Sequence, residues 1–247
     1  MKIKNLKLKI NQNKPIQYQK DYVEFYKLKF KITPNVLIPR PETELLVDEV
    51  LHYYTLYPMP YTLIDIGTGA GNIAISLACN LRGCNVNIIA TDISPKALKV
   101  AKQNAKLHGV SDQITFIQSD LLDCYDTLVY HNKIHPDVIV TNLPYIPSAR
   151  IPYLDPSVKD FEPLIALDGG SDGFKLYRKL FKQLVDKKWK PKLIIGEIDY
   201  THGELALNEA LKYFPHGQIE VKTDLAQKQR ILIIKSGSGL SYYTKPA

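Results

Sequence analysis

The stretch Thr141–Pro147, TNLPYIP, concentrates chemistry-bearing residues in the chain. Asn142 carries an acceptor oxygen and two amide donors. Pro144 has a fixed φ and no N–H, and it holds Leu143 away from helical geometry. Tyr145 adds a flat ring with a polar tip. The Asn142 side-chain oxygen and the Leu143 carbonyl can each take one N–H of a planar NH2 group, with the ring of Tyr145 against the plane. The alternative is a polar turn after a buried strand, with Tyr145 as ordinary packing. The motif alone does not separate the two.

Other chemistry-bearing residues recur at strand ends. Thr62–Ile66 reads as a buried strand ending in Gly67-Thr68-Gly69-Ala70-Gly71, and Asn72–Cys79 reads as a helix. Strand, glycine-rich turn and helix form the nucleotide-binding entry of a doubly wound sheet. The third glycine comes one residue earlier than in GxGxxG, which disfavours the dinucleotide pyrophosphate grip and with it a nicotinamide dehydrogenase. Asn87–Thr91 is a second strand ending in Asp92, placed for ribose hydroxyls or, alternatively, for capping the next helix. Ser94-Pro95 starts that helix and Gly109 stops it. Ile114–Gln118 ends in Ser119-Asp120-Leu121, where an acid and an apolar side chain fit an adenine ring; a helix cap is the alternative. Asp137–Val140 delivers Asn142. The glycine turn, Asp92, Asp120 and Asn142 thus share the carboxyl edge of successive strands, where open α/β sheets bind ligands.

The remaining elements frame that edge. Leu6–Ile10 and Phe25–Ile32 alternate lysine with apolar residues and predict an amino-terminal β-ribbon. Pro41 opens a helix whose apolar face is Leu45, Leu46, Val50 and Leu51, with Glu42 and Glu44 in its first turn. Arg40, between two prolines, is expected to pair with Glu42 or Glu44; the alternative is a rigid cation that shapes a site rim. Ser148–Ser171 is a long loop of the kind that is functional or mobile. Phe174–Val185 is a helix capped by Ser171 or Asp172. Lys192–Ile198 is a fifth strand, Gly203–Phe214 a helix, and Gln218–Thr223 with Arg230–Lys235 a closing hairpin.

The 247 residues allow one large α/β domain with a small appendage. The net charge of +7 permits an acidic or nucleic-acid partner without demanding one, and the lysines are scattered. No apolar run reaches membrane-spanning length, so a cytoplasmic protein is expected. Cys79, Cys84 and Cys124 lack metal or CxxC spacing and read as free packing thiols; no metal is expected.

The stretches VLIPRPETELLVDEV, LIDIGTGAGNIAISLA, Asp92-Ile93-Ser94 to Asn104-Ala105, NLPYIP and FEPLIALDGGSDGFKLYRKL resemble the protein-(glutamine-N5) methyltransferases of peptide chain release factors. The resemblance spans about Pro15 to the final strand. It implies a Rossmann-like, doubly wound, mostly parallel seven-stranded sheet, with the last strand antiparallel. It implies S-adenosyl-L-methionine as cofactor, with Gly67, Thr68, Gly69, Ala70 and Gly71 at its methionine end, Asp92 at the ribose, and Asp120 and Leu121 at the adenine. Asn142, Leu143, Pro144 and Tyr145 would hold the glutamine of the release factor's Gly-Gly-Gln loop, with Asn142 also beside the cofactor. On this basis residues 1–35 form a short ribbon segment, 36–235 the methyltransferase domain and 236–247 a loose tail. A monomer acting on a release factor, without membrane or direct nucleic-acid binding, is expected.

Three departures stand out. Leu143 replaces the family's usual proline, which keeps the carbonyl but loses rigidity. Fewer than about 40 residues precede IPRPE, too few for the family's helical bundle. The closing hairpin lacks its usual glycine. Asn-Leu-Pro-Tyr also resembles ribosomal RNA adenine dimethyltransferases, so a nucleic-acid amino-methyltransferase is a rival reading. A non-catalytic S-adenosylmethionine-binding module is another.

Overall fold

The computed structural model describes residues 14–58, 61–132 and 135–236. At its centre is a seven-stranded sheet. Its strands are β3 (Tyr61–Ile66), β4 (Val86–Asp92), β5 (Ile114–Gln118), β6 (Val138–Thr141), β7 (Leu193–Glu197), β8 (Gln218–Thr223) and β9 (Gln229–Lys235). Their spatial order is β5-β4-β3-β6-β7-β9-β8. Only β9 runs against its neighbours. The chain leaves β3 outward through β4 and β5, then returns to the other side of β3 as β6. This reversal opens a crevice at the carboxyl ends of β3 and β6.

The strands are apolar because both faces are covered. LIDI of β3, VIVT of β6 and LIIGE of β7 are buried throughout. One face packs on α2 (Glu44–Leu56), α3 (Asn72–Asn80) and α4 (Pro95–Leu107). The other packs on α5 (Tyr125–Asn132), α7 (Lys175–Asp186) and α8 (Gly203–Tyr213). Leu63 and Ile64 show the alternation, since each joins a different one of these two cores.

The register is what matters for the site. Ile66 pairs with Thr91 on one side and Thr141 on the other, and Thr141 pairs with Gly196. Gly67, Asp92, Asn142 and Glu197 therefore leave four neighbouring strands at one level.

The amino-terminal elements differ from the alternation reading. A helix, α1 (Ile16–Lys20), precedes a hairpin of β1 (Tyr22–Phe25) and β2 (Leu28–Lys31). The expected strand Phe25–Ile32 thus contains a turn, at Tyr26-Lys27, with φ of 49° and 59°. Two consecutive positive φ values suit a two-residue hairpin, but glycine or asparagine usually signals them. The expected strand Leu6–Ile10 and the tail beyond 236 lie outside the described residues. Phe25 and Phe30 pack edge-to-face, 6.0 Å apart, within the same core as α2 to α4.

The long loop after Pro147 is structured. It contains 3-10 turns at Ser148–Tyr153 and Leu164–Ala166 around the short α6 (Pro156–Lys159). Its end returns to its start, where Gly169 donates its N–H to the Ile146 carbonyl at 2.9 Å. In the closing hairpin Gln227 stands at φ 59°, the conformation that a glycine would otherwise take. Among the described residues no helix is long and apolar enough to cross a membrane.

Candidate active site

A cavity opens at the crevice. Its floor is Gly67–Ala70, Asp92–Ser94, Ser119–Leu121 and Asn142–Pro144; Leu37, Pro39 and Arg40 form one wall, and Pro163, Ile165 and Ala166 another. All the strand-end residues singled out above line it except Gly71 and Tyr145, which lie behind it.

The glycine turn is held in left-handed geometry, with φ of 74°, 55° and 82° at Gly67, Gly69 and Gly71. At Gly71 a Cβ would stand 2.8 Å from Ile75 Cδ1 and 3.1 Å from Ala101 Cβ, so this glycine lets α3 pack against α4. Gly67 and Thr68 both donate to the Thr91 carbonyl at 2.8 Å. Gly69 donates to Asp92 Oδ2 at 2.9 Å, and Ser94 donates to Asp92 Oδ1 at 2.8 Å. Asp92 therefore braces the turn and the start of α4 as well as facing the cavity. Burial pushes its carboxyl above the usual carboxylate range.

Asp65, one turn below, was not singled out in the sequence. Its Oδ2 accepts from Thr68 Oγ1 at 2.7 Å and from the Ala74 N–H at 3.3 Å, in the first turn of α3. Its Oδ1 is buried with no partner among the described residues. Burial pushes the carboxyl up to about 7. Asp120 pairs with Lys179 at 2.5 Å on the cavity's far side, and Leu121 turns under it at φ 52°.

Asn142 lies against the glycine turn. A Cβ on Gly67 would sit 3.6 Å from Leu143 Cδ2 and 4.0 Å from the Asn142 carbonyl oxygen. Asn142 Nδ2 donates to Thr43 Oγ1 at 3.1 Å, and among the described residues no donor engages its Oδ1. The Leu143 carbonyl likewise receives no backbone N–H there. Neither of the two acceptors expected from the sequence is engaged by a donor recorded among the described residues. Tyr145 is turned differently: its hydroxyl donates to Glu197 Oε1 at 2.9 Å, in a half-buried position. Burial and the Glu197 charge push its phenol well up, so it stays a neutral donor.

Arg40 does not pair with Glu42 or Glu44. It reaches Glu162 of the long loop, whose carboxylate also accepts the Ile38 N–H at 3.1 Å. Glu44 instead accepts the Tyr26 N–H at 2.7 Å. The pairing ties the two walls of the cavity together. A partner 122 residues away leaves no local trace in the sequence. Glu197, equally missed, had a signal: it is an acid at the carboxyl end of an apolar strand, like Asp92.

Among the described residues no group of three or more His, Cys, Asp or Glu side chains is arranged to hold a metal ion. The cavity instead suits an organic group with donors at one end and an apolar ring. Its carboxylates at Asp92 and Asp120 alternate with Ile93, Leu121 and Ala97.

Residues 60–186 match the model of a family described as a methyltransferase domain. A release factor glutamine methyltransferase of Bacillus anthracis is 37% identical over 220 residues, covering 88% of this chain and 75% of that protein. One of Moorella thermoacetica is 39% identical over 220 residues, covering 89% and 74%. Among solved structures, the catalytic domain of human METTL16 in complex with a MAT2A 3′UTR hairpin has a TM-score of 0.66. It is 17% identical and covers 90% of this chain and 79% of that one. The N-terminal domain of human METTL16 in complex with SAH gives 0.59 at 18% identity, covering 89% and 78%. At these identities the likeness is one of fold.

Proposed function

The chain belongs to the release factor glutamine methyltransferases, and from that premise we propose that it methylates a peptide chain release factor. The methyl passes from S-adenosyl-L-methionine to the side-chain amide nitrogen of the glutamine in the Gly-Gly-Gln loop. One observation carries this reading. Asn142 is anchored through its NH2 and offers its oxygen, beside the Leu143 carbonyl, at a cavity floored by the glycine turn.

Bound S-adenosyl-L-methionine supplies a methyl on a cationic sulfur, an electrophile that needs no further activation. The glycine turn suits its amino-acid end, Asp92 its ribose, and Asp120 with Leu121 its adenine. The acceptor is the harder partner, because an amide nitrogen's lone pair is delocalised into its carbonyl. Asn142 Oδ1 and the Leu143 carbonyl take its two N–H groups and fix its plane. Orientation of this kind is worth ~7–11 kcal/mol of barrier in favourable cases. The same two acceptors would stabilise the positive charge that grows on nitrogen as it takes the methyl, and the surplus proton would then pass to water. Leu143 in place of proline costs no acceptor, since only its carbonyl is used.

Asn142→Ala tests the site. Single-turnover methyl transfer is expected to fall by on the order of 100-fold, with cofactor affinity by calorimetry nearly unchanged. A near-normal rate removes Asn142 from the mechanism.

A further inference from the structure

We propose that Thr43 and Glu197 act as positioning residues that fix which way round the Asn142 amide stands. This inference rests on the reading of Asn142 given above and deepens it. An asparagine amide is nearly symmetric in shape, so packing alone does not distinguish its oxygen from its nitrogen. Here hydrogen-bond polarity makes the distinction.

Glu197 is 1% exposed. Its Oε2 accepts from Thr43 Oγ1 at 2.6 Å and its Oε1 from Tyr145 at 2.9 Å. An ionised carboxylate can only accept, and a hydroxyl has a single hydrogen to give. Thr43 has therefore spent its proton on Glu197 and presents only lone pairs to Asn142. Asn142, which lines the cavity, answers with Nδ2 at 3.1 Å, and this leaves its oxygen for the substrate amide. A neutral acid at Glu197 could donate to Thr43 and free its proton for Asn142 Oδ1. The amide would then turn over and set donor against donor at the substrate.

The groups around Glu197 come from every element packed on it. Thr43 and Glu42 come from the turn before α2, and Tyr145 from the segment after β6. Tyr177 of α7 donates to the Glu197 carbonyl at 2.6 Å, and Arg230 comes from β9. Arg230, Thr43 and Tyr145 favour the carboxylate; burial and Glu42 oppose it, and burial is the largest influence.

The test is single-turnover methyl transfer to a release factor, from mildly acid to alkaline pH, by the wild type, Thr43→Val and Thr43→Ser. Thr43→Val keeps the shape and removes the hydroxyl. It is expected to lower the rate constant by ~10–100-fold with cofactor affinity unchanged, and Thr43→Ser is expected to restore most of the loss. The wild-type rate should fall on the acid side, and Thr43→Val should lose that limb. A Thr43→Val enzyme of normal rate, a Thr43→Ser enzyme no better than it, or an acid limb identical in both would each overturn the proposal. Should Thr43→Val fail to fold, Thr43→Ala with the same profile carries the test. Asn142→Ala run alongside separates the two claims. If it is inactive while Thr43→Val is active, the positioning role falls and the Asn142 reading stands; if it is active, the underlying reading falls.

Discussion

Gly69 and Asp92, at the ends of adjacent strands, are joined by a 2.9 Å hydrogen bond from the Gly69 N–H to Asp92 Oδ2. Through it the carboxylate that faces the cavity also holds the glycine turn. Asp92→Ala should therefore lose more than a ribose contact. Hydrogen bonds to charged groups contribute ~1.5–3 kcal/mol each, so cofactor affinity is expected to fall at least ~10-fold. Burial raises this carboxyl's pKa, so wild-type affinity should weaken as pH falls through a value above 3.8. Calorimetry across pH measures both; an affinity unmoved by the substitution would contradict the assignment.

Gly71 is at φ 82° with its missing Cβ facing Ile75 and Ala101. Gly71→Ala combines left-handed strain with overpacking, each costing on the order of 1–2 kcal/mol. Urea denaturation should show a loss of that size or more, with an unchanged m-value.

Asp65 sets a pH dependence of stability. Its folded pKa of about 7 lies above the unfolded value, so the folded state binds this proton more tightly. The resulting stability is present below the unfolded pKa and is lost as pH rises through about 7. Asp65→Asn removes the buried charge and should be the more stable protein at alkaline pH, with the advantage vanishing in acid. Thermal melts of both proteins across pH measure this; an equal difference at all pH values would refute it.

Tyr145→Phe keeps the ring and leaves Glu197 Oε1 buried without its donor. Stability is expected to drop by ~1–3 kcal/mol. The Tyr145 hydrogen bond also holds the Glu197 carboxyl down, so its removal should move the acid limb of the rate to higher pH. A limb that stays in place would mean that Glu197 does not govern it.

The sheet was legible because its strands are short apolar runs, each ending in a residue that apolar burial does not explain. Asp92, Asp120 and Asn142 were found that way, and Glu197 satisfies the same rule. The amino-terminal hairpin was not legible, because its turn is Tyr26-Lys27 rather than a glycine or asparagine pair, and lysines alternate straight through it. Thr43 and Glu162 were hidden for another reason. Their roles come from partners 99 to 154 residues away, and only the folded register brings those together.

The central claim is that a glutamine side chain from another polypeptide is the methyl acceptor. Labelled S-adenosyl-L-methionine should be offered with this enzyme to an intact release factor, to the same factor with the Gly-Gly-Gln glutamine replaced, and to ribosomal RNA. Label on the intact factor alone is the result predicted here. Label that survives loss of the glutamine, or that appears on the RNA, would contradict it.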